Sequence, residues 1–368
     1  MRLTLKHIFL SNSDHAGGIA YNVKKIYLEL NKKNIKCSTL YLNNYKKSDI
    51  KKIVFEKDVL VLYCTSTMTL LISCMIFLIR ASLLKKTIIS QIIYHPRFID
   101  PRVSHFRKIL NFSIRNIPQR NIFYYSDECV YSSKIISYDL VDKNNIIGLC
   151  SIYNDIKAKE FSIHGVLNNY REKNKKIIST IGRLVDFKIG YIIELIRLAK
   201  MRNDFILVII GFGPEEKKII ELISNSESIF FIGKRSIAES KYLVENSDLY
   251  VGMGTTLVDA NSLSIPAIVA IESNNQGLTS GFFSSGSSMC FGEYSCTSQY
   301  YKLADFLSNI LDDNEDIPKA TKNKSHPWNK IENNIPYLEN ISFLKVLIII
   351  TSIFTSYIFR FFSKNDYH

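Results

Sequence analysis

The feature that most constrains this chain is a recurrence of short apolar runs in its second half. They are "KIISTIG", "FILVIIG", "IFFIG", "LYVGMG" and "PAIVAI", beginning at Lys176, Phe205, Ile229, Leu249 and Pro266. Stretches of roughly 8–15 residues with helical periodicity separate them. Apolar strands that end at glycine and lead into helices predict a parallel sheet covered on both faces. The first half alternates less cleanly. "LTLKHIFLS", "KCSTLYL", "DVLVLYC" and "TIISQIIYH" read as strands, and so do "ECVYSS" and "NIIGLCSIY". A loop, "NSDHAGG", follows the first strand, then a helix from about Ile19 to Asn34. "PRVSHFRKILNFSIRN" reads as a basic helix.

A length of 368 residues exceeds one ordinary core and predicts two α/β domains. The charged run Arg171–Lys176 has no apolar periodicity and is the expected linker, dividing residues 1–172 from 173–335. Two such domains in tandem place a cleft between the carboxyl edges of their strands, where open sheets bind ligands. The acidic run Asp312–Asp316 reads as a solvated loop.

Hydrophobic residues make up 46% of the chain, which excludes intrinsic disorder. The net charge of +13 is unevenly spread. Residues 1–175 hold 28 Lys+Arg and 13 Asp+Glu, and the remainder hold 19 and 21. A basic first half suits an anionic partner, either a membrane surface or nucleic acid, or is simply a solvated lysine-rich face. Nucleic acid fits less well, because no recognition motif is interleaved with the basic residues. Seven cysteines without a C-x-x-C read as buried free thiols of a reducing compartment. The N-terminal apolar stretch is too short for a signal peptide, so a cytoplasmic location is expected. Val59–Ile79 carries no charge but breaks into a strand and a helix at "TST". "FLKVLIIITSIFTSYIFRFF", Phe343–Phe362, reads as a buried terminal helix, with a helix in the lipid interface as the alternative.

Four candidate sites fall at strand ends. Arg183 and Lys188, in "GRLVDFK", are two positive charges at a strand-to-helix turn and suit a diphosphate. Gly211 and Gly213, in "GFGPEEKK", precede a helix opened by Pro214, with Glu215 and Glu216 in its first turn. Gly17 and Gly18 separate the first strand from the first helix, where backbone N–H groups can approach an anion. Gly254, Thr255 and Thr256 open a helix one turn before Asp259, and their N–H groups are expected to face the ligand. No Asp-x-Asp lies at a strand end and no His/Cys cluster has metal spacing, so neither a metal nor a cofactor is expected.

In order and spacing, "GRLVDFK", "VIIGFGPEEKK", "FFIGKRSIAESKYLVENSDLYV" and "GTTLVDANSLSIPAIVA" resemble the carboxyl-terminal domain of family 4 glycosyltransferases. "HAGGIAYNVKKIYLELNKKNIKCSTLYL" resembles the amino-terminal start of that family, more weakly. The resemblance implies a GT-B architecture: two Rossmann-like domains, a nucleotide-sugar donor site in the second and an acceptor site in the first. It also implies that residues 336–368 cross back onto the first domain. By the same resemblance Arg183 and Lys188 bind the donor diphosphate, Gly17 and Gly18 approach it from the other side, and Asp259 holds the donor ribose. His95, in "IIYHPR", falls near the place of a catalytic-site histidine.

The chain departs from the family pattern at three points. Val251 stands where the first acid of the E-x7-E motif belongs, Asp259 replaces the second Glu, and Ile189 takes the place of the glycine after Lys188. The backbone amides of Gly254 and Thr255 are candidates to bind sugar hydroxyls in place of the first acid. The implied reaction is metal-independent, retaining sugar transfer from a nucleotide-diphosphate-sugar, with the donor phosphate as base. The implied acceptor is a growing, lipid-linked surface glycan, and the location peripheral at the inner face of a bacterial cell membrane. Two other readings stay open: a non-catalytic GT-B scaffold, suggested by Val251, and a nucleotide-sugar epimerase of the same fold.

Overall fold

The computed structural model describes residues 4–13, 18–98, 100–101, 104–133, 141–142, 145–154, 156–224, 226–273, 276–283, 290–294, 299–313 and 327–362. In chain order, β1 is Leu5–Ser11, α1 Gly18–Lys32, β2 Cys37–Tyr41, α2 Lys47–Phe55, β3 Val59–Cys64, α3 Thr67–Ser82 and β4 Thr87–Ile93. Then come α4 His105–Ile114, β5 Ile122–Tyr124 and α5 Asp127–Ser133. The second series is α6 His164–Glu172, β6 Lys176–Arg183, α7 Asp186–Met201, β7 Phe205–Phe212, α8 Glu216–Ile223, β8 Ile229–Phe231 and α9 Ile237–Glu245. It continues with β9 Leu249–Gly252, α10 Thr255–Ser262, β10 Ala267–Ala270, β11 Leu278–Phe282, β12 Tyr301–Lys302 and α11 Leu303–Asp313. Two helices close the chain, α12 Pro327–Asn334 and α13 Phe343–Phe362.

The chain divides into two compact units, one of Met1–Leu149 with Ser325–His368, the other of Cys150–Lys324. The first holds a parallel sheet of order β2-β1-β3-β4-β5. Ile8, Leu10, Leu60 and Leu62 meet Ile53, Val54 and Ile76 of α2 and α3 in its core. Ser66 caps α3, its hydroxyl accepting from the Thr69 N–H, so Val59–Ile79 is a strand plus a helix as expected. The second unit holds the order β12-β11-β10-β9-β6-β7-β8, in which β6 to β10 are parallel and β11 and β12 antiparallel. Ile178, Leu207, Val251 and Ile268 of this sheet pack against Ile192, Leu195 and Ile196 of α7.

Several expectations are corrected. "ECVYSS" is helix α5, not a strand. The Ser126 hydroxyl accepts from the Cys129 N–H and starts a helical turn there, overriding the β-branched content. "NIIGLCSIY" is irregular apart from a single bridge, Tyr124 to Ile146, and the edge strand is the shorter β5. The division of the chain falls at 149/150 and not near 172. The cause is α6: Leu167, with Ile163 before it, packs on Ile177, Ile206 and Ile210 of the second sheet. Of the acidic run, Asp312 and Asp313 belong to α11, and Asp312 pairs with Arg202 at 2.5 Å; residues 314–316 lie outside the described residues.

Residues 327–362 return to the first unit, as a terminal crossing helix requires. α13 packs on α3 and α4, with Phe106 and Tyr357 meeting edge to face. Asn121 and Glu339 exchange side-chain-to-backbone hydrogen bonds at 2.8 and 2.9 Å. Trp328 is fully buried, edge-on to His7 and Phe9. Among the described residues no helix is long and apolar enough to cross a membrane.

His7 gives this junction a pH dependence. It lies on β1 between Tyr63 and Trp328, with Nδ1 3.2 Å from the Tyr63 hydroxyl. Burial lowers its pKa to about 4, opposed by Glu332. In the unfolded chain it takes up a proton near 6.5, so below that pH the unfolded state binds more protons. Stability therefore falls as pH drops from 6.5 to about 4, by about 3 kcal/mol from this group alone. The chain has one tryptophan, Trp328, so urea unfolding followed by its fluorescence reads the first unit. The acid loss should be smaller in His7→Gln than in wild type by about that amount; equal losses would refute the assignment.

Candidate functional site

In the second sheet β6 is the switch strand, with β7 and β8 on one side and β9 and β10 on the other. Ligands of open parallel sheets bind at the carboxyl ends of the strands flanking such a point. Arg183 is the last residue of β6 and is exposed. Lys188 lies in the first turn of α7 and reaches back over the strand end. A Cβ on Gly182 would sit 3.9 Å from its Nζ. Burial lowers the Lys188 pKa, the Arg183 charge lowers it further, and Glu272 opposes both. Two cations that repel each other across one strand end are poised for a dianion, which relieves the repulsion.

Glu272 escaped the sequence reading. It follows β10 and is buried, and its N–H donates to the Gly292 carbonyl at 2.8 Å. The next residue, Ser273, donates its N–H to the Phe187 carbonyl at 2.7 Å, which ties this loop to the first turn of α7 beside Lys188. The signal was present in "PAIVAIE", an acid directly after an apolar strand.

Gly211 and Gly213 have a packing reason. A Cβ on Gly211 would come 2.5 Å from the Gly182 carbonyl, and one on Gly213 would come 2.3 Å from the Leu184 carbonyl. The β6–α7 and β7–α8 turns pass too close for any other residue. The Leu184 N–H donates to the Phe212 carbonyl and the Glu215 N–H to that of Leu184, at 2.9 and 3.2 Å.

In the α10 turn one of the expected ligand-facing N–H groups is engaged within the protein. Gly254 has φ +70 and caps α10, but its N–H donates to the Phe291 carbonyl at 2.7 Å and is committed. The Thr256 hydroxyl donates to the Met253 carbonyl at 3.0 Å, and Thr255 opens the helix. Asp259 is 1% exposed. Its Oδ1 accepts from the Ser151 hydroxyl at 2.8 Å and from the Ile152 N–H at 2.7 Å. Both contacts come from the segment that enters the second unit. In this structure Asp259 fastens that segment to α10. Val251, in the place of the first motif acid, is fully buried within β9 and belongs to the core.

The remaining candidates lie in the first unit. His95 directly follows β4 and is half-buried. Gly18 is the first residue of α1, with its carbonyl accepting from the Asn22 amide at 2.7 Å. Gly17 lies outside the described residues. Among those described, no three His, Cys, Asp or Glu side chains cluster as a metal site requires.

Residues 168–315 match the family model described as "Glycosyl transferases group 1". No curated protein matches the sequence. The Anabaena protein HepE, solved with UDP-glucose, aligns with a TM-score of 0.55 at 14% identity, over 96% of this chain and 99% of that one. HepE with UDP and glucose aligns with a TM-score of 0.54 at 14% identity, over 96% and 99% of the two chains. A Listeria monocytogenes protein assigned as a UDP-N-acetylglucosamine 2-epimerase aligns with a TM-score of 0.52 at 12% identity, over 89% and 95%. With its two α/β sheets, parallel apart from β11 and β12, and its group 1 match over residues 168–315, the chain has the GT-B fold of glycosyltransferases.

Proposed function

We propose that this protein transfers a sugar from a nucleotide-diphosphate-sugar to a growing, lipid-linked surface glycan. The observation that carries the reading is the convergence of Arg183 and Lys188 on the end of the switch strand β6. As the glycosidic bond breaks, charge builds on the leaving diphosphate. Fixed cations there stabilise the transition state more than the ground state. The reaction needs no metal on this reading and retains the anomeric configuration, with the donor phosphate as base. The relatives solved with UDP and UDP-glucose support a nucleotide-sugar as donor. His95, directly after β4, is the candidate catalytic-site histidine.

An anionic membrane surface as the seat of the lipid-linked acceptor agrees with two features. The first half carries the excess of Lys and Arg, each worth about 1 kcal/mol beside an anionic leaflet. α13 also exposes Phe343, Leu344, Leu347 and Phe354. On this reading the protein is peripheral at the inner membrane face. A second reading, a nucleotide-sugar epimerase, draws on the similarity to the Listeria protein.

One experiment separates the readings. A thermal-shift screen of nucleoside diphosphates selects the nucleotide, since a bound ligand raises stability by mass action. The matching sugar donors are then incubated with lipid-linked glycan in anionic or neutral vesicles, and without acceptor. Acceptor-dependent release of the diphosphate, faster on anionic vesicles at low salt, is expected. Equal rates on both vesicles reject the membrane seat. An epimerised donor without acceptor establishes the second reading, and nucleotide binding without turnover establishes a scaffold.

A further inference from the structure

The first unit holds a cavity apart from the residues assigned to sugar transfer. Its volume is about 390 Å³, within the range of small-molecule sites. Gln119 and Arg120 of the single turn before β5 line it, with Asp142, Asn145 and, from the terminal segment, Tyr337. All five belong to the first unit. β4 and β5 run parallel, so the turn before β5 lies at the opposite end of the sheet from His95, which directly follows β4.

Three groups of this wall are not used up by the fold. Tyr337 leaves its ring 57% exposed. The Arg120 guanidinium lies over that ring, 5.7 Å from its centroid. The nearest acid to Arg120, Glu339, is 3.8 Å away, too far for a hydrogen bond, so the five N–H donors of the guanidinium stay open to a ligand. Asn145 is the buried member, 4% exposed. Its amide nitrogen donates to the carbonyls of Gln119 and Ile122 at 3.3 and 2.7 Å, so its Oδ1 faces away from that backbone. That oxygen accepts from no donor among the described residues. A buried carbonyl left unpaired is costly, and a donor brought by a ligand removes the cost.

The wall selects a chemical class. Arg120 and Asp142, both exposed, carry opposite charges, so neither an anion nor a cation meets a field of one sign. A guanidinium only donates, a carboxylate only accepts, and the amide of Gln119 does both. A neutral sugar ring answers all three, because each hydroxyl donates and accepts, and its C–H face can lie on the Tyr337 ring. We propose that this cavity holds a neutral sugar unit of the acceptor glycan, away from the end that reacts. The proposal rests on the transfer reading only for the molecule to which the sugar belongs. Binding of the sugar itself stands on the cavity.

The test is calorimetric titration of maltose, cellobiose, lactose, chitobiose and inorganic phosphate into the full chain, as wild type, Tyr337→Ala, Tyr337→Phe, Arg120→Ala and His95→Ala. At least one disaccharide should bind wild type. Tyr337→Ala should weaken it about tenfold, the scale of one lost aromatic contact, and Arg120→Ala should weaken it too. Tyr337→Phe should keep wild-type affinity, since the ring and not the hydroxyl is used, and His95→Ala should leave binding unchanged. No disaccharide binding to wild type overturns the site, as does binding that is lost in His95→Ala and kept in Tyr337→Ala. Phosphate that binds wild type and is lost in Arg120→Ala makes the cavity an anion site and overturns the proposal as well. Tyr337 is exposed, and an unchanged melting temperature shows that its variants are folded. With lipid-linked glycans as acceptors, Tyr337→Ala should raise KM for a long glycan about tenfold with kcat unchanged, and leave a single-sugar acceptor unaffected. An unchanged KM for the long glycan, with disaccharide binding weakened, rejects the acceptor as the occupant. Absence of transfer by wild type refutes the transfer reading, while the titrations still decide the sugar site.

Discussion

Arg183→Ala and Lys188→Ala each lower kcat/KM for the nucleotide-sugar by about 10²–10³-fold, the loss that follows removal of one preorganised transition-state charge contact. The fall should lie mainly in kcat, because the leaving diphosphate gains charge between ground and transition states. Arg183 is exposed at the end of β6, so its removal leaves the core of the unit intact. Lys188 adds a pH signature. Its pKa is lowered, first by burial and then by Arg183. It therefore loses its proton at a lower pH than an ordinary lysine, and activity should decline on the alkaline side accordingly. Glu272 opposes that lowering, so Glu272→Gln should move the alkaline limb to still lower pH. Arg183→Ala removes a repelling charge and should move it to higher pH in the residual activity. Wild-type kinetics in Arg183→Ala and Lys188→Ala would remove both residues from the site, and an alkaline limb unmoved in Glu272→Gln would remove the proposed counter-charge.

The parts of this site that could be read in advance are those fixed by local sequence. Arg183 and Lys188 sit at a strand-to-helix turn whose strand and helix are both written in residue periodicity. The β6–β10 alternation was legible because each strand is a continuous apolar run between breakers. What could not be read depends on contacts far apart in the chain. Gly211 and Gly213 fall at a strand end as candidate-site residues do, yet their need for glycine comes from the 182–184 backbone beside them. Asp259 looks like a ligand acid, and nothing local reveals that Ser151 and Ile152 enclose it. Glu272 lies in a loop with no periodicity and acquires meaning only when that loop is tied to α7. In the first unit, Val130 and Tyr131 of α5 favour a strand by propensity, and the deciding element is one serine cap.

The largest expected effect on stability is at Arg80, an apparent blemish at the end of an otherwise apolar helix. Arg80 is fully buried. Its Nε donates to the Thr87 hydroxyl at 2.8 Å. Its Nη1 donates to the carbonyls of Ile53, Val54 and Glu56 at 3.2, 3.1 and 2.8 Å, the first two at the end of α2. Its Nη2 donates to those of Asp58 and Lys86 at 2.8 and 3.1 Å. One guanidinium thus serves the last carbonyls of a helix and the turns that start β3 and β4. The last carbonyls of a helix lack a full set of intrahelical donors; that of Ile53 accepts a backbone N–H only from Glu56, at 3.3 Å, and the guanidinium supplies the rest. The positive charge also complements the negative end of the α2 dipole. Arg80→Met keeps the apolar volume and removes every donor, and the expected cost is about 3–5 kcal/mol, as for breaking other buried charge networks. Arg80→Lys should recover only part of it, because an ammonium lacks the planar fork that reaches three segments at once. Trp328 reports the first unit alone, so its fluorescence transition in urea should move to lower concentration in Arg80→Met. Nucleoside diphosphate binding by the second unit should be unaffected at urea concentrations below that transition. A midpoint within the equivalent of about 0.5 kcal/mol of wild type, the range of ordinary surface substitutions, would show that water replaces the guanidinium without loss.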